Sequence, residues 1–212
     1  MKVKVCGMKY PENILQVAES SPDYMGFIFY EGSPRCAKEA LDIDVLIRMG
    51  RDIDKVGVFV NERTIEIKRI CDTYALSYVQ LHGDESVEFC SVLHENGIRI
   101  MKAFQVNDKF DFESILAYTP YVDLFLFDTV AAERGGSGRK FDWSILTRYK
   151  GEIPFLLSGG ISSGDLDAIL NLRHPQLNGI DINSRFEISP GVKNVELVFE
   201  FIKNLRHAIS GE

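Results

Sequence analysis

The chain is 212 residues long, 45% hydrophobic and 26% charged, with a formal net charge of −7. That length and apolar content suffice for one buried core, so a single domain over residues 1–212 is expected. The acidic balance excludes nucleic acid and anionic membranes as bulk partners, since both need a basic face, and any anionic ligand must be held by local groups.

In chain order, Met1-Lys2-Val3-Lys4-Val5 runs straight into a predicted strand, without the apolar stretch of about 7–15 residues that a signal peptide carries. No segment approaches the ~20 apolar residues of a membrane span. Cys6, Cys36, Cys71 and Cys90 stand 30, 35 and 19 positions apart, with no C-x-x-C and no Cys/His spacing of the zinc-binding kind. Reduced thiols, no metal and a cytoplasmic location are expected.

Short apolar, β-branched or aromatic runs then recur: Val3 to Val5, Met25 to Tyr30, Val56 to Val60, Tyr78 to Leu81, Ile98 to Phe104, Val122 to Phe127, Pro154 to Leu157 and Gly179 to Ile182. Runs apolar throughout suit strands buried on both faces of a parallel sheet. Between them lie stretches of helical period, such as Ile67, Ile70, Cys71, Tyr74 and Val198, Phe201, Ile202, Leu205, Ile209. Pro11 falls where a first helical position belongs, and Gly97 just past a helix end. The eight strand ends are 21 to 31 positions apart, and eight βα units of that size predict an α/β fold of the closed (β/α)8 barrel type, short against the usual ~250 residues. An open doubly wound sheet shares the alternation, but no Gly-x-Gly-x-x-Gly follows the first strand.

In such a barrel the loops after the strands share one face, so Cys6, Arg35, Asn61, His82, Gln105, Asp128, Ser158 and Asp181 are expected to converge there. Each has a plainer reading. Cys6 is either a buried inert side chain or, ahead of a sharply turning Gly7, a thiol facing the pocket. As a base it needs a pKa lowered from ~8.5 by a cation or a helix N-terminus. Asp128 either caps the next segment or, desolvated at the end of Leu124-Phe125-Leu126-Phe127, keeps a proton to give as a general acid. Arg35 is a surface residue or a two-point clamp for a carboxylate. His82 is structural or a pocket residue; His94, His174 and His207 lie on predicted helices or their ends and receive no role.

Three segments, two of them Gly-bearing, suit a phosphate cradle: Gly135-Gly136-Ser137-Gly138-Arg139, Ser158-Gly159-Gly160 and Asn183-Ser184-Arg185. Backbone N–H groups approach an anion closely where Cβ atoms are absent, and barrels that bind phosphate usually do so after strands seven and eight. Singly, each is as well read as a turn.

Seven segments together resemble the phosphoribosylanthranilate isomerase family of tryptophan biosynthesis over nearly the whole chain. They are Lys4-Val5-Cys6-Gly7-Met8, Gly26-Phe27-Ile28-Phe29-Tyr30 with Ser33-Pro34-Arg35, Val56-Gly57-Val58-Phe59-Val60-Asn61, Val79-Gln80-Leu81-His82-Gly83, Gly135-Gly136-Ser137-Gly138, Leu157-Ser158-Gly159-Gly160-Ile161 and Pro190-Gly191-Val192-Lys193. The resemblance implies a cofactor-free Amadori rearrangement of N-(5-phosphoribosyl)anthranilate to the 1-deoxyribulose 5-phosphate derivative. It makes Cys6 the general base, Asp128 the general acid and Arg35 the holder of the anthranilate carboxylate. Gly136, Ser137, Gly138, Gly159, Gly160 and Ser184 become the phosphate grip, His82 a substrate-binding residue, and Asp181 one that orients the substrate amine or a hydroxyl. The partner is thus a small phosphorylated molecule. Two positions depart from the family: Ser184-Arg185-Phe186-Glu187 stands where Ser-Gly-Val-Glu is usual, and Lys9 where Thr is frequent. Losing a glycine at position 185 leaves open whether the turn still presents one phosphate N–H, and the added Arg185 cation is the alternative, through a direct ion pair.

Other functions fit less well. Indole-3-glycerol phosphate synthase, a related barrel, uses a lysine acid and a glutamate base, yet no Lys or Glu closes strands two or three. A metal-dependent sugar phosphate epimerase needs clustered His and Asp ligands at the strand ends. A catalytically silent phospho-ligand barrel requires Cys6 or Asp128 to face away from the pocket. Apolar helix faces are needed to cover the barrel, so they leave self-association open.

Overall fold

Eight parallel strands close on themselves in sequence order in the computed structural model, which describes residues 1–129 and 143–211. They are β1 (Lys2–Val5), β2 (Tyr24–Ile28), β3 (Asp54–Phe59), β4 (Tyr78–Leu81), β5 (Ile100–Val106), β6 (Leu124–Thr129), β7 (Phe155–Ser158) and β8 (Leu177–Ile182). The ring is completed where β8 pairs with β1, setting Lys4 beside Asp181 and Val5 beside Ile182. The expected (β/α)8 barrel is the observed fold, with the open sheet excluded by that pairing.

Side chains alternate between the two faces of a strand. Here the alternation separates two cores. Val3, Val5, Phe27, Phe59, Val79, Leu81, Phe125, Phe127, Phe155, Leu157, Ile180 and Ile182 point outward into the apolar layer beneath the helices. Tyr24, Val56, Tyr78, Met101, Ala103, Leu124, Leu126 and Leu156 fill the inside of the barrel. Both faces are therefore apolar over much of most strands, which is why these strands read as hydrophobic runs, whereas the inward face of β1 carries Lys2 and Lys4.

The outer layer holds α1 (Pro11–Ala18), α2 (Ile43–Arg48), α3 (Thr64–Tyr74), α4 (Val87–Glu95), α5 (Leu166–Asn171) and α6 (Val195–Ser210). Pro11 sits at the start of α1, where its missing N–H costs nothing. Gly97 follows α4 with a positive φ. Ile67 and Ile70 of α3, and Val198, Phe201, Ile202 and Leu205 of α6, form the buried stripes, while Ile209 is exposed. Between β5 and β6 the chain makes only a 3-10 turn over Leu116–Tyr121, and Pro120 within it forbids a regular α-helix. A second 3-10 turn covers Trp143–Arg148. After β8, a short hairpin of β9 (Glu187–Ser189) and β10 (Val192–Lys193) lies over the barrel mouth next to β1. Among the described residues no helix is long and apolar enough to cross a membrane.

Candidate active site

The inward parity that builds the lower core continues up each strand, and at the carboxyl ends it changes from apolar to polar. A cavity of about 200 Å³ opens there, lined by Cys6, Ile28, Val58, Gln80, His82, Asp128, Ser158, Gly159, Gly160, Ile161, Asp181, Asn183 and Ser184. The expected convergence of strand-end residues is thus met by Cys6, His82, Asp128, Ser158 and Asp181. Asn61 and Gln105 are not part of the lining. The Asn61 side chain instead accepts from Asp84 N at 2.8 Å, tying the loop after β3 to that after β4, and Gln105 is exposed at the rim.

Cys6 continues β1 and is 4% exposed. Gly7 behind it adopts φ 75°, and a Cβ there would lie 2.7 Å from Asn183 Oδ1 and 2.8 Å from Arg35 Cδ, so only glycine permits this turn beneath those two side chains. Burial pushes the Cys6 thiol above its ordinary pKa, against the opposing pull of Lys4 and, more weakly, Lys193. The lowered value expected from the sequence is therefore not found: the cations are present, and desolvation outweighs them.

Lys4, two residues earlier on the same face, has no exposed surface and donates to Asp181 Oδ1 at 2.9 Å. The other carboxylate oxygen accepts from Ser158 Oγ at 3.0 Å. Burial works against the Lys4 ammonium, yet Asp181 and Cys6 together raise its pKa. Asp181 thus faces the cavity with each oxygen already holding one donor and able to accept another.

Across the cavity, Gln80 Nε2 lies 3.1 Å from His82 Nδ1. An amide that donates to Nδ1 leaves the ring proton on Nε2, which stands 3.4 Å from Asp128 Oδ2. The Asp128 side chain is 28% exposed: Phe125 and Phe127 point outward into the apolar layer, and Asp128 points into the cavity. Gln80 Oε1 is buried without a partner among the described residues.

Arg35 lies at the rim and outside the cavity lining. Its Nε and Nη2 grip Glu187 at 2.9 and 2.7 Å, and Glu187 also receives Lys193 Nζ at 2.7 Å. Burial disfavours the Glu187 carboxylate, but these two cations outweigh it and hold its pKa below the usual value. Lys193 completes the cluster by donating to Asn183 Oδ1 at 2.7 Å.

Of the expected phosphate cradle, Gly159, Gly160 and Ser184 line the cavity. A Cβ on Gly159 would come within 2.2 Å of Thr129 O, whereas one on Gly160 would meet no described residue within 4 Å. Arg185 is exposed and does not line the cavity. Gly136, Ser137 and Gly138 lie outside the described residues. His94 and His207 are at the end of α4 and in α6; His174 lies between α5 and β8 rather than on a helix, bonded to Tyr149 O. Among the described residues no three His, Cys, Asp or Glu side chains are grouped to hold a metal ion. The strand-end reading missed Lys4, Gln80, Glu187 and Lys193; Gln80 carries a sequence signal, a polar residue at inward parity within an otherwise apolar strand, whereas Lys4 only repeats the alternation that Lys2 begins.

Residues 3–204 match the family model for N-(5'-phosphoribosyl)anthranilate (PRA) isomerase. The chain is 48% identical to the N-(5'-phosphoribosyl)anthranilate isomerase of Parabacteroides distasonis, over 98% of its own length and 94% of that protein. It is 39% identical to the enzyme of the same name from Phocaeicola vulgatus, over 99% and 100%. Among solved structures, the phosphoribosyl anthranilate isomerase of Thermotoga maritima superposes with a TM-score of 0.82 at 33% identity, covering 97% of this chain and 98% of that one. A phosphoribosyl anthranilate isomerase in complex with reduced 1-(o-carboxyphenylamino)-1-deoxyribulose 5-phosphate gives 0.80 at 31% identity, with the same coverage. The resemblance noted in the sequence motifs therefore holds over the folded barrel, and the chain belongs to the N-(5'-phosphoribosyl)anthranilate isomerase family.

Proposed function

We propose that this isomerase of tryptophan biosynthesis converts N-(5-phosphoribosyl)anthranilate to 1-(2-carboxyphenylamino)-1-deoxyribulose 5-phosphate without a cofactor, with Cys6 as general base and Asp128 as general acid. The observation that carries the reading is that the thiol and the carboxyl line one small cavity at the carboxyl ends of β1 and β6. Two proton transfers on one ribose need groups on different sides of it, and these strands supply them. A silent binding barrel would require one of the two to face elsewhere.

In this mechanism Asp128 gives its proton to the furanose ring oxygen, the ring C–O bond breaks, and the nitrogen lone pair forms an iminium at C1′. The Cys6 thiolate then takes the C2′ proton, and its electron pair moves to give an enolamine. Protonation at C1′ with loss of the enol proton yields the ketone, so the sum is an isomerisation with no net proton. A substrate filling the cavity mouth excludes water from the reacting groups. His82 Nε2 orients the carboxyl from behind.

Arg35 holds the anthranilate carboxylate. Glu187 occupies its Nε–Nη2 edge, which leaves the Nη1–Nη2 edge for a second, two-point contact. The phosphate is held by the loops after β7 and β8, where Gly160 and Ser184 line the cavity, together with Gly136, Ser137 and Gly138. Arg185 supplies an exposed cation next to Ser184. Asp181 accepts from the substrate amine or a hydroxyl.

The direct test is to mix purified protein with freshly generated phosphoribosylanthranilate and follow the loss of its anthranilate fluorescence, with and without a chelator. Turnover unaffected by chelation is expected. Absence of turnover, or its loss with the metal, overturns the reading.

A further inference from the structure

Lys4 is a costly residue to bury, because an apolar side chain of similar volume usually gives equal or greater stability than a buried ion pair. It does not line the cavity, so it is not a substrate contact. Its surroundings supply another purpose. Lys4 and Cys6 share the inward face of β1, and both lean toward Gly26 of β2: a Cβ on that glycine would lie 2.7 Å from Cys6 Sγ and 3.1 Å from Lys4 Nζ. The side-chain space at position 26 is thus filled by the sulfur and the ammonium together. An ammonium has three protons to donate; one goes to Asp181 at 2.9 Å, and its charge acts on the neighbouring sulfur.

We infer that Lys4 is a positioning residue of the reaction, whose ammonium, anchored by Asp181, fixes the Cys6 side chain and favours its thiolate form. The inference rests on the reading of Cys6 as the base. Other charged groups face the sulfur as well: Asp181 from β8, Lys193 from β10 and Arg35 from the loop after β2 act on it electrostatically, while Asp128 and His82 face it across the cavity. Lys193 and Arg35 share Glu187, which offsets part of their charge. Lys4 is the cation that shares the space beside Gly26 with the sulfur, and Asp181, besides holding Lys4, itself opposes the thiolate. Removing Lys4 and removing Asp181 must therefore move the thiol in opposite directions, which a merely structural pair would not do.

The test is the pH dependence of iodoacetamide alkylation at Cys6, followed on the isolated peptide, in wild type, Lys4→Met, Asp181→Asn and the double variant, beside pH profiles of kcat and KM. The midpoint is expected to rise by about one pH unit or more in Lys4→Met and to fall in Asp181→Asn. It should be higher in the double variant than in Asp181→Asn, a comparison that leaves no unpaired carboxylate should Lys4→Met fail to fold. In Lys4→Met, kcat should drop at least tenfold at neutral pH with KM little changed, and its acidic limb should follow the alkylation midpoint. Unmoved midpoints in Lys4→Met and in the double variant relative to Asp181→Asn overturn the inference while leaving Cys6 as base. Full activity in Cys6→Ala overturns both.

Discussion

Arg35 meets Glu187 edge to edge, with Nε 2.9 Å from Oε1 and Nη2 2.7 Å from Oε2, so the β9 strand fixes the plane of a guanidinium that belongs to the loop after β2. The fork is held before any ligand arrives. Arg35→Met should raise KM tenfold or more and change kcat only a few-fold, because a carboxylate remote from the reacting carbons is bound alike in ground and transition states. Glu187→Gln, which keeps the shape but frees the fork, should raise KM by less. Arg185→Ala should raise KM as well, through the phosphate. Steady-state kinetics decide each; a wild-type KM in Arg35→Met contradicts the clamp.

His82 stands between Gln80 and Asp128, and in the proposed mechanism it orients the carboxyl. His82→Ala is expected to lower kcat about tenfold, short of the ~10²–10⁴ lost when a general acid is removed. Measuring kcat in His82→Ala and Asp128→Asn separates the two. Equal losses would make His82 itself the acid.

A further buried charge pair lies on the outer side of the barrel. Lys102 Nζ is 3.0 Å from Glu85 Oε2, and both side chains are 2% exposed. The Glu85 carboxylate also accepts the backbone N–H groups of Asn61 and Gly83. Lys102→Met leaves that carboxylate buried without its cation and should cost about 3–5 kcal/mol of unfolding free energy. Lys102→Met with Glu85→Gln should cost less. Denaturant titration at pH 7 checks both, and a near-neutral Lys102→Met contradicts the pairing.

The pH dependence of stability follows from the thiols. Burial pushes Cys71 and Cys90 each up to about 11, from an ordinary 9.0. In the unfolded chain they ionise near pH 9, while in the folded chain they stay neutral to near 11. Unfolding therefore releases protons in that window, and stability that is complete below pH 9 is lost as pH rises toward 11. Cys6 shifts in the same direction. Denaturation midpoints measured from pH 8 to 11 should fall, and less steeply in Cys71→Ser/Cys90→Ala. An unchanged slope in that variant would assign the loss to other groups.

The closed barrel was legible because most strands are buried on both faces and so leave a largely apolar run, and because eight such runs recur at near-even spacing. The site was legible only in part. Cys6, His82, Asp128, Ser158 and Asp181 end strands at inward parity, so position along the chain located them. Asn61 lies at the opposite parity and joins two loops instead. What position could not reveal is the environment of each group. Asp128 follows four apolar residues, yet Phe125 and Phe127 cover the outside of the barrel, and the carboxyl itself meets solvent. The Cys6 thiol has its cations, but their effect against desolvation depends on distances across strands β1, β8 and β10 that no local pattern encodes. Glu187, 152 positions from Arg35, is a partner only because the hairpin after β8 folds back beside β1.

The central claim is a division of labour between one thiol and one carboxyl, and the comparison that tests it most directly is kcat for wild type, Cys6→Ala and Asp128→Asn on freshly generated phosphoribosylanthranilate, with folding verified by circular dichroism. Each variant should fall by about 10² or more while remaining folded and binding the product. Turnover at the wild-type rate in either folded variant would contradict the account.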